Sequence, residues 1–287
     1  DGDVKLSSSK DGAHVTVSAD RFESRMPTMP VADFPTPPTS DMANAITIPL
    51  QPFRQLIAKT QFAITGEDTR FYLNGALFVV KKGGLMMVAT DGHRLALASA
   101  AFDGGKDEEV KAILPRKTLS ELGRLLADTD KDVEFERGEN HMFFRIGPRL
   151  LVSRMIDGQF PAYERVIPKG NDKHIEFERD RLTSAVKRVA ILSNERSRAL
   201  KFIIDKGKVD VTSSSPEFGE AREPLPVDYT GGGMTICFNA QYVLDFLNVV
   251  DAEIVSLDVK DDVSQAVLSP VNAEGYNYTY VIMPMRV

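Results

Sequence analysis

Residues 63–70 read Ala-Ile-Thr-Gly-Glu-Asp-Thr-Arg, and residues 191–198 read Ile-Leu-Ser-Asn-Glu-Arg-Ser-Arg. Each stretch follows an amphipathic segment and precedes an apolar, strand-like run, Phe71 to Phe78 in the first case and Leu200 to Ile204 in the second. They lie 128 positions apart (63 to 191), which is the length of a domain. A second echo has Ser24-Arg25-Met26 ahead of Phe34-Pro35, and Ser153-Arg154-Met155 ahead of Phe160-Pro161. Both follow alternating runs, Ala13 to Val17 and His141 to Ile146. Proline-rich or polar connectors come next, Pro35 to Asp41 and Pro168 to Lys173. One repeat length accounts for both echoes. The chain therefore parses as three copies of one unit: 1–44 as the tail of a first copy, 45–168 as a second and 169–287 as a third.

Composition agrees with a folded, multi-domain chain. At 287 residues, with 43% apolar and 26% charged side chains, it has the make-up of an ordinary globular protein and enough length for several cores. Its one cysteine, Cys237, has no partner within the chain, which points to a reducing compartment such as the cytoplasm. No apolar run reaches the roughly 18 residues of a membrane span, so no membrane partner is expected. A net charge of −6 excludes a uniformly basic nucleic-acid binder but leaves room for a local basic face.

Two helices are predicted in each full copy, among many strands, which makes the fold class α+β. Leu50, Phe53, Leu56, Ile57, Thr60 and Ile64 fall on one helical face, with Arg54 and Lys59 away from it. A second helix is predicted from about Pro115, which suits a first-turn position, with Leu119, Leu122 and Leu126 inward and Lys117 and Arg124 outward. In the third copy Leu182, Ala185, Val186 and Val189 form the apolar face opposite Lys187 and Arg188. The last helix, about Ala240 to Val250, is apolar around much of its circumference and carries Asp245 but no cation. Any one basic face suits plain solvation. Basic faces on three of four helices suit a shared anionic partner held through its phosphates, with no reading of bases.

Catalytic patterns are not visible. The four histidines are scattered, and there is neither a Gly-x-Ser-x-Gly elbow nor a P-loop. Cys237 sits in an apolar run and reads as a small buried side chain. Gly231-Gly232-Gly233 reads as a hairpin loop, because no lysine-bearing helix N-terminus follows. The chemically dense stretch is Thr90-Asp91-Gly92-His93-Arg94-Leu95. Asp91 and His93 are too few for a closed metal site, and Asp-Gly is a turn pair. An acid–base role for Asp91 and His93 stays open beside the turn. The C-terminus, Val281 to Val287, is apolar almost to its end and must pack in the core or along a groove.

Taken together, these stretches closely resemble the bacterial sliding clamp family, the beta subunit of DNA polymerase III. The matching segments are Thr90 to Ala96, Ile156 to Pro161, Ala190 to Glu195, Val243 to Asn248 and Met283 to Arg286, in family order. The resemblance covers essentially the whole chain and is weakest over 1–40. It implies the DNA clamp fold: repeated domains, each with two helices packed on antiparallel sheets. It also implies a head-to-tail homodimeric ring around duplex DNA that tethers the replicative polymerase, with no catalysis, cofactor or metal of its own. Further implied partners are the clamp loader, repair polymerases, a mismatch repair protein and ligase, all through linear motifs of the Gln-x-x-Leu-x-Phe kind.

Carried over residue by residue, the peptide pocket includes Leu73, Thr90, Gly92, His93, Arg94 and Leu95 from the second domain. Pro161, Arg165 and Val166 come from the connector. The third domain supplies Asn239, Tyr242 and Val263, and then Val281, Ile282, Met283, Pro284, Met285 and Arg286. Ser197 stands where many relatives carry a larger side chain. For DNA the resemblance points to Arg70, Phe71 and Tyr72, beside the helix cations Arg54, Lys59, Lys117, Arg124, Lys187 and Arg188. Phe71 replaces a common tyrosine, and Glu67 stands where a neutral residue is usual and would repel phosphate. Ile191 and Leu192 match the third domain's half of the dimer interface. About two-thirds of a roughly 120-residue first domain is expected to precede Asp1 in a longer protein. Without it the chain is expected to act as a peptide-binding module that cannot close a ring, the alternative to a working clamp.

Overall fold

The computed structural model describes residues 2–66, 68–105, 107–194 and 196–286. Glu67, whose effect on phosphate was anticipated above, lies outside the described residues, as does Glu195 of the repeated motif. Two compact units result, residues 1–41 and 42–287. The first is a three-stranded antiparallel sheet in the order β1 (Lys5–Ser8), β2 (His14–Ala19), β3 (Phe22–Pro27).

In the second unit one series of elements occurs twice. It runs β4 (Ile46–Ile48), α1 (Leu50–Thr60), β5 (Gly75–Lys81), β6 (Gly83–Thr90), β7 (Arg94–Phe102), β8 (Val110–Pro115), α2 (Arg116–Ala127), β9 (Val133–Arg137), β10 (His141–Ile146) and β11 (Arg149–Arg154). It then recurs as β12 (Lys173–Glu178), α3 (Arg179–Ala190), β13 (Ala199–Asp205), β14 (Lys208–Ser215), β15 (Gly219–Pro226), β16 (Met234–Asn239), α4 (Ala240–Leu247), β17 (Ile254–Val259), β18 (Ala266–Pro270) and β19 (Asn277–Ile282). Strand, helix, four strands, helix, three strands is the order both times. The sequence echo reflects this.

The two halves are not merely adjacent. β19 of the second half pairs antiparallel with β7 of the first, Leu95 opposite Val281 and Tyr280 opposite Ala96. The result is one eight-stranded sheet in the order β12-β17-β18-β19-β7-β6-β5-β8. Four-stranded sheets, β11-β10-β9-β4 and β15-β14-β13-β16, complete the two halves. The helices lie under these sheets by their apolar stripes. In the first half Phe53 of α1 stacks among Phe78 and Phe144, and Phe135 packs on both of these rings. In the second half Phe246 of α4 stacks on Tyr278 and Tyr280. Each ring buries a large apolar area and prefers such offset contacts.

The apolar C-terminus repeats an earlier device. The amide of Met285 donates to the Cys237 carbonyl at 2.8 Å, on the free edge of β16. In the first half the amide of Ile156 donates to the Ile113 carbonyl at 3.1 Å, on the edge of β8. Register makes these positions equivalent, since Pro115 pairs with Gly75 as Asn239 pairs with Ala199. The tail thus divides between the two options: Val281 and Ile282 are buried in the core as the end of β19, and the residues after them run along the edge of β16.

Several local expectations need correction. Pro115 is the N-cap of α2 and the last residue of β8, so it stands one position before the first turn. Its fixed φ serves the extended entry, and its missing N–H costs nothing there. Phe71 to Leu73 form a 3-10 turn, and the strand begins only at Gly75. Asn74 holds this turn, its Oδ1 accepting from the Thr65 hydroxyl and the Asp68 amide. Gly231–Gly233 is not a hairpin loop, because β15 and β16 sit at opposite edges of their sheet. The segment crosses the sheet end, pinned where the Tyr229 hydroxyl donates to the Gly232 carbonyl at 3.0 Å. A Cβ at Gly231 would collide with that tyrosine ring, so the position requires glycine.

At the edge strand β12, His174 lies between Asp258 (2.6 Å) and Glu176 (3.1 Å). The bond to Asp258 first, and that to Glu176 second, raise its pKa above the ordinary 6.5. A raised folded-state value means that this stabilisation is complete below about pH 6.5 and is lost as pH rises through the raised value. In His174→Gln, urea unfolding midpoints are expected to lose that part of their pH dependence. An unchanged slope between pH 6 and 8 would contradict the assignment.

Candidate functional site: a cleft where the two halves meet

The turn from β6 to β7 is built by its own side chains. Asp91 Oδ1 accepts the amides of His93 (2.9 Å) and Arg94 (3.0 Å), and Thr90 Oγ1 accepts from Gly92 while donating to the Arg94 carbonyl. Gly92 sits at φ +89°, where a side chain would be strained. Asp91 Oδ1 shapes the backbone and its Oδ2 accepts from Arg94 Nε, as suits the turn reading, and the acid–base alternative has no support from this geometry.

This turn, a connector and the last strand enclose a cleft of about 270 Å³. Thr90, Gly92, His93, Arg94 and Leu95 supply one side, and Pro161 and Val166 of the connector supply another. Val281 and Met283 close it from the second half, with the Met283 amide donating to the His93 carbonyl at 2.9 Å. Leu73 forms part of the floor. The lining is mostly apolar with a few polar groups at the mouth, which suits an extended apolar peptide better than a polar metabolite.

Three lining residues were not assigned to it from sequence. Arg70 and Tyr72, expected at a DNA rim, stand in the cleft wall, while Phe71 between them points outward at 72% exposure. Arg70 is held by a two-pronged bond to Asp68 (Nε 3.0 Å, Nη2 2.7 Å), and hydrogen bonding to Arg70 pulls the Asp68 carboxyl down to about 2. Tyr163 is the third, its hydroxyl donating to Met86 Sδ at 3.6 Å and its pKa pushed up to about 12, mainly by burial. No motif flagged it, because its role depends on the connector folding back over β6. On the connector's other side lies a cavity of about 480 Å³ that shares Pro161 and Tyr163 as wall.

The other assigned residues lie around rather than in the cleft. Asn239 caps α4, its Oδ1 accepting from the amides of Gln241 and Tyr242. Tyr242 lies beneath the Arg94 guanidinium, 4.3 Å from ring centre to Cζ. Ile282 is fully buried in the core. Arg165, Val263 and Arg286 are exposed, and Pro284 and Met285 are half-buried along the tail. Ser197 belongs to the turn after α3, where its amide donates to Asn194 Oδ1. Ile191, at 74% exposure, and half-buried Leu192 end α3. Cys237 is half-buried, and burial raises its thiol pKa.

Arg94 both lines the cleft and bridges the two halves. Its side chain is 9% exposed, and all three guanidinium nitrogens are used: Nε to Asp91 (3.0 Å), Nη1 to Asp245 (2.5 Å) and Nη2 to the Phe62 carbonyl (2.8 Å). Burial opposes its charge, but Tyr280, Asp245 and Asp91 outweigh that and hold its pKa above the ordinary value.

Among the helix cations, Arg54, Lys117 and Lys187 are exposed, as are Arg116 and Arg181, which sequence reading passed over. Arg124 pairs with Glu121, and Arg188 makes a two-pronged pair with Glu223 of β15 at 2.9 and 2.5 Å. Lys59 does not belong with them. It is 2% exposed, with Nζ 3.0 Å from both the Val249 carbonyl and Asp251 and 4.2 Å over the Tyr276 ring. Helical periodicity put it on an outer face, but that face is covered by the end of α4 from the other half. Its carbonyl partner lies just past the C-terminus of that helix, where a cation is favoured.

Comparison with known proteins gives consistent matches. The family model for the central domain of the DNA polymerase III beta subunit matches residues 47–162, and that for its C-terminal domain matches residues 164–286. The chain is 38% identical to the beta sliding clamp of Pseudomonas putida over 284 residues, 99% of this chain and 76% of that protein. Identity to the Escherichia coli K12 beta sliding clamp is also 38%, over 96% of this chain and 75% of that one. A crystal structure of the beta subunit from Pseudomonas aeruginosa superposes with a TM-score of 0.91 at 36% identity, covering 99% of this chain and 77% of that chain.

Burial makes a direct check of Lys59 possible. Lys59→Ala removes the packed stem and leaves the Val249 carbonyl without its partner, an expected loss of about 2 kcal/mol in urea unfolding. Arg54→Ala on the same helix is expected to change stability by less than about 0.5 kcal/mol.

Proposed function

The chain belongs to the bacterial DNA polymerase III beta-subunit family, the sliding clamps, and from that membership we propose that it encircles duplex DNA as part of a head-to-tail ring and tethers replication proteins through the cleft. The observation that carries the tethering half is the cleft itself, which needs both halves of the chain to exist. A short apolar motif of the Gln-x-x-Leu-x-Phe kind would lay its leucine and aromatic side chains against Leu73, Leu95, Val281 and Met283. The expected owners of such motifs are the polymerase catalytic subunit, the clamp loader, repair polymerases, a mismatch repair protein and ligase. The chain itself contributes no chemistry to synthesis. Its site of action is the bacterial cytoplasm, where replication occurs.

Ring closure is supported by the repeat. Sheet β15-β14-β13-β16 corresponds strand for strand to β7-β6-β5-β8. In the first half β7 has its outer edge taken by β19, whereas no described strand pairs with the outer edge of β15. A strand from the first domain of a second chain would complete β15 as β19 completes β7, with exposed Ile191 close by in the same half. In this reading 1–44 belongs to a first clamp domain, 45–168 is the second and 169–287 the third. DNA would be held by sequence-independent contacts from Arg54, Lys117 and Lys187, helped by Arg116 and Arg181. Pairing with Glu121 and Glu223 reduces what Arg124 and Arg188 offer.

Fluorescence anisotropy with a labelled Gln-Leu-Ser-Leu-Phe peptide tests the tether. Saturable binding is expected, lost with a scrambled peptide and weakened at least about tenfold in Met283→Glu, whose side chain is partly exposed in the cleft. Binding that is unaffected by Met283→Glu would count against the cleft. For DNA, Arg54→Glu with Lys187→Glu is expected to lower low-salt association while sparing the peptide. Equal loss of both activities would overturn the separation of the two surfaces. Co-sedimentation with closed circular but not linear DNA reports a ring, and its absence alongside intact peptide binding would mean a peptide module without closure.

A further inference from the structure

We propose that Met283 is a reversible modification site: oxidation of its thioether to the sulfoxide by a hydroperoxide lowers the affinity of the cleft for peptides, and reduction restores it. The proposal rests on the peptide-docking reading of the cleft.

Exposure singles out this side chain. Of the eight methionines within residues 42–287, Met283 is the most open to solvent, at 36%. Met42, Met87 and Met142 are buried, and the other four are half-buried. One of those four, Met86, has its sulfur engaged as well, accepting from the Tyr163 hydroxyl. Met26 and Met29 are more exposed, at 43% and 80%, but they belong to the first unit and line no part of the cleft. Oxidation follows access to the sulfur, so within the second unit a peroxide reaches Met283 first.

Position makes that oxidation consequential. The backbone is held on both sides of the residue, the Met283 amide by the His93 carbonyl and the Met285 amide by the Cys237 carbonyl. The tail cannot withdraw the side chain from the cleft without breaking these bonds. As a thioether, Met283 is a flexible apolar wall that packs well against an aromatic ring such as the motif's phenylalanine. The sulfoxide is polar, and its oxygen is hydrogen-bonded in water. Leu73, Leu95, Val166 and Val281 of the same lining have no side-chain donor to offer it. A peptide laid over the site strips water from that oxygen without replacing the bond, which is unfavourable. The step balances with a peroxide alone: the O–O bond breaks, one oxygen bonds to Met283 Sδ, and the other leaves as water. In the reverse step two thiols supply two electrons, giving a disulfide and water.

The test oxidises the whole chain partially with hydrogen peroxide and passes it over an immobilised Gln-Leu-Ser-Leu-Phe peptide. Mass spectrometry then maps each methionine in the bound and unbound fractions. Met283 sulfoxide is expected to concentrate in the unbound fraction, with Met26 and Met29 sulfoxides evenly shared. In titrations, full oxidation of Met283 is expected to weaken binding about tenfold, and methionine sulfoxide reductase with dithiothreitol to restore it. Even partition of Met283 sulfoxide would overturn the proposal, as would a loss that tracks another methionine. Thermal melts of the two fractions are expected to coincide. An unbound fraction without a transition would also overturn it, because the loss would then be unfolding.

Met283→Leu adds a variant arm. Whatever its affinity before treatment, peroxide is expected to leave that affinity unchanged, and a further loss would remove Met283 as the site. If untreated wild type binds no peptide, the docking reading fails, and the order of oxidation still decides the modification. Met283 is expected to oxidise before every other methionine of residues 42–287, and a half-buried methionine oxidising faster would overturn the assignment.

Discussion

The pairing of β19 with β7 is the contact on which the other features depend. A strand edge presents a row of unsatisfied N–H and C=O groups, and burying it without a partner is costly. Here the last strand of the second half satisfies the outer edge of β7. That joins two repeats into one sheet and aligns their helices. It also brings the β6–β7 turn, the connector and the C-terminal strand within reach of one another. The cleft is a by-product of this junction and has no existence in either half alone.

Two cations reinforce the junction from the same side. Arg94 and Lys59 come from different elements of the first half; Arg94 ends on α4 of the second and Lys59 on the segment just after it. Their settings differ in an instructive way. Arg94 has both carboxylate partners largely buried, 15% and 19% exposed, so its pairs are dry and directional. The Asp251 partner of Lys59 is 74% exposed and stays hydrated, so the carbonyl and the aromatic ring do more of the holding there. The helix faces show the complementary pattern. Their exposed arginines at 124 and 188 are matched by nearby glutamates, which is how an acidic chain keeps basic helices without a large uncompensated field.

Much of this was legible from the sequence. The repeat, the four helices and several strands follow from periodicity and the two echoed motifs, because burial against one sheet imposes 3.6- and 2-residue periods directly. The β6–β7 turn was readable from Thr90-Asp91-Gly92, whose side chains act on their own backbone. Lys59 was misread for a physical reason: a helical period shows which face is apolar, but not that a second half covers the polar one. The absence of any cation from α4 was visible and unexplained. The structure explains it, since that helix receives its cations from the other half. Tyr163 and the wall position of Arg70 were invisible, because both depend on a connector folding back over a sheet that it does not join. Pro224 and Pro226 did not stand out either, since a proline's meaning in a strand depends on where that strand lies in its sheet.

Those two prolines bear on how the protein behaves at high concentration. β15 has an open edge, and an open edge accepts any extended chain that reaches it. Proline has no N–H, so the last third of β15 cannot extend a ladder, and only Gly219 to Glu223 remains available. A short competent stretch favours one strand of matching length and shape over indiscriminate stacking. For the head-to-tail ring proposed above, that length limit would separate a closed assembly from an endless fibre.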